Sequence, residues 1–355
     1  MLHFDTYMQE RAYLGPAAWV AHTSRRFLAG CMRLLSIREG QTCQRTARLM
    51  HPRTVYNRLL CEIILSMHKL LVLLVLATPL AASGGRGNPQ SVAARAEYSM
   101  GKLAFDVCRG GCDIFVMASL NSKPKRLVAG QSPAWSPDGE RIAYCKREGL
   151  SGFGQIHLIN ADGSGHKQLT MLEGGAYGPD WSPDGNTIAF TASGTILVMD
   201  KNGQGVRKII GGYGARWSPD GKQLVFLQYS AGHGSICIVN ADGTGARRVI
   251  EDNSSVLEAA WFPDGKSIAF CSEREHKHKS AIFRVNIDGT GFEAVAVDER
   301  RSLFFPRLSP DGQQLVGDGF VKGSGEGDVL LLDLASHQAS VLAHGLHPSV
   351  VWEKR

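Results

Sequence analysis

The sequence has no apolar run long enough to cross a bilayer as a helix. Its most hydrophobic stretch, beginning Leu70-Leu-Val-Leu-Leu-Val-Leu76, extends over about 13 residues where about 20 are needed. Net charge is also missing from most of the chain. The formal charge is +6, but residues 1–66 hold nine Arg, no Lys and four acidic residues, and Lys69 adds one more charge. From residue 70 onward there are 29 basic and 29 acidic side chains, so nucleic-acid binding driven by overall charge is excluded. No Gly-x-Ser-x-Gly elbow, Walker loop, dinucleotide fingerprint or zinc-protease helix occurs. The apolar share of 43% excludes a disordered chain, and the 41 Gly follow no collagen period.

What is present begins with a leader. Met67-His-Lys69, the apolar run and Ala81-Ala-Ser-Gly-Gly85 supply the basic, hydrophobic and small-residue parts of a secretory signal. The expectation is a signal peptide over 67–83 cut near Ala82–Gly84, with an uncleaved signal-anchor as the alternative. Residues 84–100 then form a linker. Residues 1–66 show neither alternation nor helical periodicity. An in-frame Met67 at the start of the basic region makes 1–66 a non-native or disordered extension in this reading.

The rest is one unit repeated. Trp135-Ser-Pro-Asp-Gly139 recurs at Trp181–Gly185 and Trp217–Gly221, as Trp261-Phe-Pro-Asp-Gly265 and as Leu308-Ser-Pro-Asp-Gly312. The spacings are 46, 36, 44 and 47, and a further step of 44 reaches Trp352. Asp138, Asp184, Asp220, Asp264 and Asp311 occupy the same place in each copy. Pro presets φ, Asp can bond its own backbone, and Gly accepts positive φ, so each copy is a turn. A short strand follows each turn (Ile142-Ala-Tyr144, Ile188-Ala-Phe190, Leu224-Val-Phe226), then a second strand ending in turns such as Asn160-Ala-Asp-Gly-Ser-Gly165. Four short strands per 36–47 residues describe a propeller blade. The expected fold is all-β: a six-bladed β-propeller over residues 101–355. Its ring is closed by the C-terminal strand near His347–Trp352, which serves as the innermost strand of the blade begun at Gly101. Trp135, Trp181, Trp217, Trp261 and Trp352 are expected to pack between blades.

Trp-Ser-Pro-Asp-Gly, Ile-Ala-Phe and Asn-Ala-Asp-Gly-Thr-Gly together resemble the TolB-type, WD-repeat-like propeller repeat over roughly residues 101–352. No Trp-Asp dipeptide of true WD-repeats occurs. The resemblance implies a periplasmic, non-enzymatic propeller that binds a peptidoglycan-associated lipoprotein. The α/β domain that precedes the propeller in TolB has no counterpart in the short segment after the leader. The blades are also similar to those of prolyl-oligopeptidase-type enzymes, whose separate hydrolase domain does not fit here.

Among side chains with reactive chemistry, Cys108-Arg-Gly-Gly-Cys112 spans a hairpin between the first two strands. In an exported protein these two can form a disulfide, with free thiols or a two-ligand metal contact as alternatives. Cys145, Cys237 and Cys271 read as buried small hydrophobes. His276 and His278 have chelating spacing, but the flanking lysines favour a solvated loop. The Asn-x-Asp-Gly-x-Gly turns lack the further carboxylates of a calcium loop. Asp106, Asp180 and Asp318 lie near strand ends, where the mouth of a central funnel could gather carboxylates. The function expected is an exported, periplasmic or secreted, protein-binding scaffold in envelope integrity or protein transport. Its partner would be an envelope lipoprotein or another envelope protein, with no cofactor and no stable membrane span. The alternative is a lyase or hydrolase acting on sugars or lactones through a funnel-bound metal such as calcium.

Overall fold

A computed structural model describes residues 97–354 apart from 148–152, 231–232, 253–255, 274–279 and 322–326. The extension, the leader and His276 and His278 lie outside the described residues. The described residues form 24 strands in six four-stranded antiparallel sheets, with no helix. First strands run over Gln131–Trp135, Tyr177–Trp181, Tyr213–Trp217, Val256–Trp261 and Arg301–Leu308 in blades two to six. In blade one that place is taken by the last strand, Leu346–Lys354, which pairs with Tyr98–Cys108. First strands of neighbouring blades touch in a closed cycle, so they surround a central axis.

The apolar side chains divide into six cores, and each core straddles one junction between blades. Ala134 and Ile156 of blade two meet Trp181 and Phe190 of blade three. Val225 and Ile238 of blade four meet Trp261 and Phe283 of blade five. The junction that closes the ring joins Val316 and Val329 of blade six to Leu103 and Phe105 of blade one. Alternation along a strand explains this division, because successive side chains point to opposite faces and so to different neighbours. Ala143 faces forward to blade three, whereas Ile142 and Tyr144 face back to blade one. Each repeat Trp packs back on the preceding blade. Trp181 Nε1 donates to the Ala134 carbonyl at 3.1 Å and Trp261 Nε1 to the Arg216 carbonyl at 3.2 Å.

Trp135, Trp181, Trp217 and Trp261 stand opposite Ile142, Ile188, Leu224 and Ile268. In the closing blade the partner of Leu103 is Val350, which stands in that register. Trp352 pairs with Met100, two residues further on, and packs in the closing core from there.

The Ser-Pro-Asp-Gly turns share one hydrogen-bond pattern. Ser136 Oγ donates to Asp138 Oδ1 and receives the Arg141 N–H, and Glu140 N–H also reaches Asp138. Ser182, Ser218 and Ser309 bond Asp184, Asp220 and Asp311 in the same way. The serine hydroxyl, helped by the backbone N–H, holds the Asp138, Asp184 and Asp220 carboxyls below their ordinary range. In the Asn-x-Asp-Gly turns Asp162, Asp242 and Asp288 each accept the hydroxyl and amide of the following Ser or Thr. Cys108 and Cys112 are joined as a disulfide, and Cys145, Cys237 and Cys271 are buried free thiols.

Trp181→Ala should remove a junction anchor and cost about 3–5 kcal/mol, lowering Tm by roughly 10 °C for a domain of this size. Deletion of residues 346–355 should do more: it uncovers both sides of blade one and abolishes the single cooperative transition in calorimetry. An unchanged thermogram would contradict the closure.

Candidate functional site

The two ends of the ring differ. First strands run from one end, where blades connect, to the other, where the Ser-Pro-Asp-Gly and Asn-x-Asp-Gly turns lie in near-identical copies. The end where first strands begin carries the departures from the repeat.

Every first strand shifts register against its neighbour just before the Trp position, at Gln131/Ala134, Tyr177/Asp180, Tyr213/Arg216, Val256/Ala259, Phe304/Arg307 and Ala104/Asp106. The inserted residue is left-handed in five blades: Ser132 (φ 51), Gly178 (φ 60), Gly214 (φ 63), Phe305 (φ 52) and His347 (φ 52). A left-handed non-glycine residue costs about 1–3 kcal/mol and persists only where its surroundings fix it. Here the fixing groups sit on the second strand of the preceding blade, just after its Ile-Ala-Phe element. Asp106 Oδ2 accepts the Ser132 N–H at 2.6 Å, Thr191 Oγ1 the Gly214 N–H at 3.3 Å and Asp318 Oδ2 the His347 N–H at 3.0 Å.

Two layers of side chains result at the mouth. The left-handed layer holds Ser132, Gly178, Gly214, Phe305 and His347, with Glu258 at the matching place in blade five. The layer below, the residue just before the Trp position, holds Ala134, Asp180, Arg216, Ala260, Arg307 and Ser349. A Cβ at Gly178 would meet nothing within 4 Å, and one at Gly214 would meet only Glu258 Oε2 at 3.9 Å.

The charges are concentrated. Asp106, Asp318 and Arg216 are buried. Asp106 faces His347, whose Nδ1 lies 2.9 Å from Oδ2 and 3.1 Å from Oδ1. The His347 ring meets Phe305 edge-on, with centroids 4.5 Å apart. Asp180 Oδ2 accepts the Trp217 N–H at 3.0 Å, and Arg216 lies 3.9 Å from both Asp180 and Glu258. Thus Asp106 and Asp318 meet at His347, and Asp180 stands beside Arg216. Arg216, Glu258, Arg307 and His347 were not singled out from sequence. The signal that could have found them is the variation at the two positions before an otherwise constant Trp.

Titration follows from these contacts. Burial works against a charged His347, but the charge and hydrogen bond of Asp106, with Asp318 and Glu258, outweigh it and raise the pKa to about 9. Burial pushes Asp318 up to about 8, against the opposing pull of His347. Burial, together with the like charge of Arg216, brings Arg307 down to about 10. The mouth therefore brings Arg216, Arg307 and His347 together with Asp106, Asp180, Glu258 and Asp318. Among the described residues no group of three His, Cys, Asp or Glu side chains could hold a metal ion.

Both raised values make folding less favourable at alkaline pH. The stabilisation from His347 is complete below about 6.5, its ordinary value, and is lost as pH rises through about 9. Asp318 begins to oppose folding above its ordinary value and does so fully above about 8. Thermal unfolding should therefore show Tm falling from pH 7 to pH 10. His347→Gln should flatten the upper part of that slope, and Asp318→Asn, which keeps an acceptor for the His347 N–H, should flatten the lower part.

Comparison with known proteins agrees with the architecture. Residues 206–350 match the family described as "TolB beta propeller domain". TolB from Acinetobacter baumannii superposes with a TM-score of 0.60 at 22% identity, covering 71% of this chain and 66% of that one. A chain of a nidogen/laminin complex gives 0.56 at 13% identity, covering 71% and 98%. Kuenenia stuttgartiensis hydrazine synthase gives 0.58 at 15% identity, covering 78% and 51%. At these identities the structural likeness concerns the fold. No curated protein matches the sequence. The family match over 206–350 and five copies of the Pro-Asp-Gly turn among six blades agree with the fold: the ring of this chain is a six-bladed β-propeller similar to the TolB type.

Proposed function

We propose that the chain is an exported protein-binding scaffold, at work in the cell envelope or outside the cell, that meets its partner with the end of the ring bearing the charged mouth. The observation that carries this reading is the contrast between the two ends. One end carries the Pro-Asp-Gly turn in five blades and the Asn-x-Asp-Gly turn in three, while the other carries Arg216, Glu258, Arg307 and His347, each a departure from the repeat. A rigid ring that concentrates its individuality at one end is suited to recognition by that end.

Export is supported by the signal-like residues 67–83 and by the Cys108–Cys112 disulfide, a bond that persists in oxidising compartments. A link to an envelope lipoprotein, in envelope integrity or protein transport, rests on the TolB resemblance and is the finer part of the proposal. N-terminal sequencing of the native protein should find a start near Ala82–Gly84. A start upstream of Met67 would refute the leader.

Partner binding is tested by capture from an envelope fraction with two surface variants. Met171 is 86% exposed on a connection at the mouth end. Asn202 is exposed in a turn at the opposite end. Met171→Asp should reduce capture of the wild-type partner at least tenfold, and Asn202→Arg should leave it unchanged. Equal capture by both variants would exclude the mouth end as the docking face.

A further inference from the structure

We propose that Arg307, Arg216, His347 and Asp318 form a carboxylate-binding site in the mouth of the central channel. Each of these four side chains has a hydrogen-bonding position that the protein leaves unused. Arg307 has no hydrogen bond or ion pair among the described residues, although its guanidinium is close enough to Arg216, Asp180, Glu258 and Asp318 to feel their charges. Arg216 is buried, and its Nε has no hydrogen-bond partner; Asp180 and Glu258 stand off at 3.9 Å. Asp318 is 1% exposed, and its Oδ1 has no partner while Oδ2 holds the His347 N–H. His347 commits Nδ1 to Asp106, which leaves Nε2 as the remaining donor on a ring still 23% exposed.

The wall carboxylates are already engaged elsewhere. Asp106 holds Ser132 and His347, and Asp180 holds the Trp217 amide and flanks Arg216 with Glu258. The unused groups are therefore mainly donors, and burial shifts Asp318 toward its protonated, donating form. An acceptor of matching shape is a planar two-oxygen group, which takes two parallel hydrogen bonds from a guanidinium. One negative charge suits the site better than two, since a phosphate dianion would face Asp180 and Glu258, which flank Arg216. Above the site, a Cβ at Gly178 would meet nothing within 4 Å and one at Gly214 only Glu258 Oε2 at 3.9 Å, so these glycines leave space beside it.

The carboxylate could come from a small free acid or from an acidic side chain of a protein, and the probes separate these. The full chain with 15N-labelled arginine is titrated with sodium succinate, with sodium phosphate and with an acetylated, amidated Gly-Asp-Gly peptide, while the Nε–H resonances are followed by NMR. The expected result is a saturable shift of the Arg307 and Arg216 signals with at least one carboxylate, at least tenfold tighter than with phosphate. Tighter binding of succinate identifies a free acid as the source, and tighter binding of the peptide identifies a protein side chain. Arg307→Leu should weaken the carboxylate at least tenfold with Tm unchanged, and Arg307→Lys should restore part of the affinity. If Arg307→Leu does not fold, the wild-type titration and Arg307→Lys carry the test. No saturable shift with either carboxylate, phosphate binding as tight as carboxylate, or affinity indifferent to both substitutions would overturn the site. These titrations use no partner protein, so their failure leaves the scaffold reading standing, and a failed partner capture leaves the site standing.

Discussion

A four-stranded blade is apolar on both faces, and water can cover neither of them without cost. Everything else in the ring follows from that constraint. Each blade must be covered twice, so six blades produce six shared cores rather than six private ones. Ile142 and Ala143, adjacent in sequence, belong to different cores for this reason. The final junction cannot be omitted, because leaving it open would expose Val316 and Val329 on one side and Leu103 and Phe105 on the other. Taking the first strand of blade one from the C-terminus makes that junction part of a hydrogen-bonded sheet and also removes a free edge near the axis.

Junction packing fixes the faces of the blades and leaves the axis to the first strands alone. There the chain accepts a local penalty: a register shift in every blade and a left-handed residue in five of the six, three of them not glycine. Side chains from the preceding blade tie down Ser132, Gly214 and His347, and the tie varies with the residue held. Gly214 needs only the Thr191 hydroxyl, whereas Ser132 and His347 have buried carboxylates from Asp106 and Asp318. Those two acidic groups then dictate the electrostatics of the mouth, since Asp106 raises His347 and the burial that Asp318 needs for its structural bond raises its own pKa. Structural anchoring and site chemistry are thus the same contacts.

The fold was legible in the sequence because the junctions repeat. Trp181, Trp217 and Trp261 recur with Ser-Pro-Asp-Gly or Phe-Pro-Asp-Gly behind them, and each performs the same packing task. The mouth was far less legible because its residues do not repeat. Asp106, Asp180 and Asp318 could be noticed as isolated carboxylates near strand ends, yet nothing local showed that two of them meet at a histidine 241 and 29 residues away. The closing strand shows the limit of counting. A step of 44 from Leu308 reaches Trp352, but the register partner of Leu103 is Val350. Connection lengths differ between blades, so spacing cannot fix register, whereas the local run His347-Pro-Ser349 aligns with Ser132-Pro-Ala134 and does.

Departures from the repeat also separate into two kinds, and the difference bears on function. Blade five has Phe262 where its neighbours have the turn serine, and the loss is made good nearby. Ser267 Oγ donates to Asp264, and Arg284 both pairs with Asp264 at 2.7 Å and covers the Phe262 ring. Blade six has Gly317 in place of the aromatic after Leu315-Val316, because the Phe304 carbonyl comes within 2.8 Å of where a Cβ would sit. Both exceptions are compensated by their own blade and leave no group unpaired that the repeat would have paired. Arg216 Nε and Asp318 Oδ1 are exceptions without such compensation. The irregularities of these two blades are thus repaired close by, whereas those at the mouth leave Arg216 Nε and Asp318 Oδ1 with hydrogen-bonding capacity unmet.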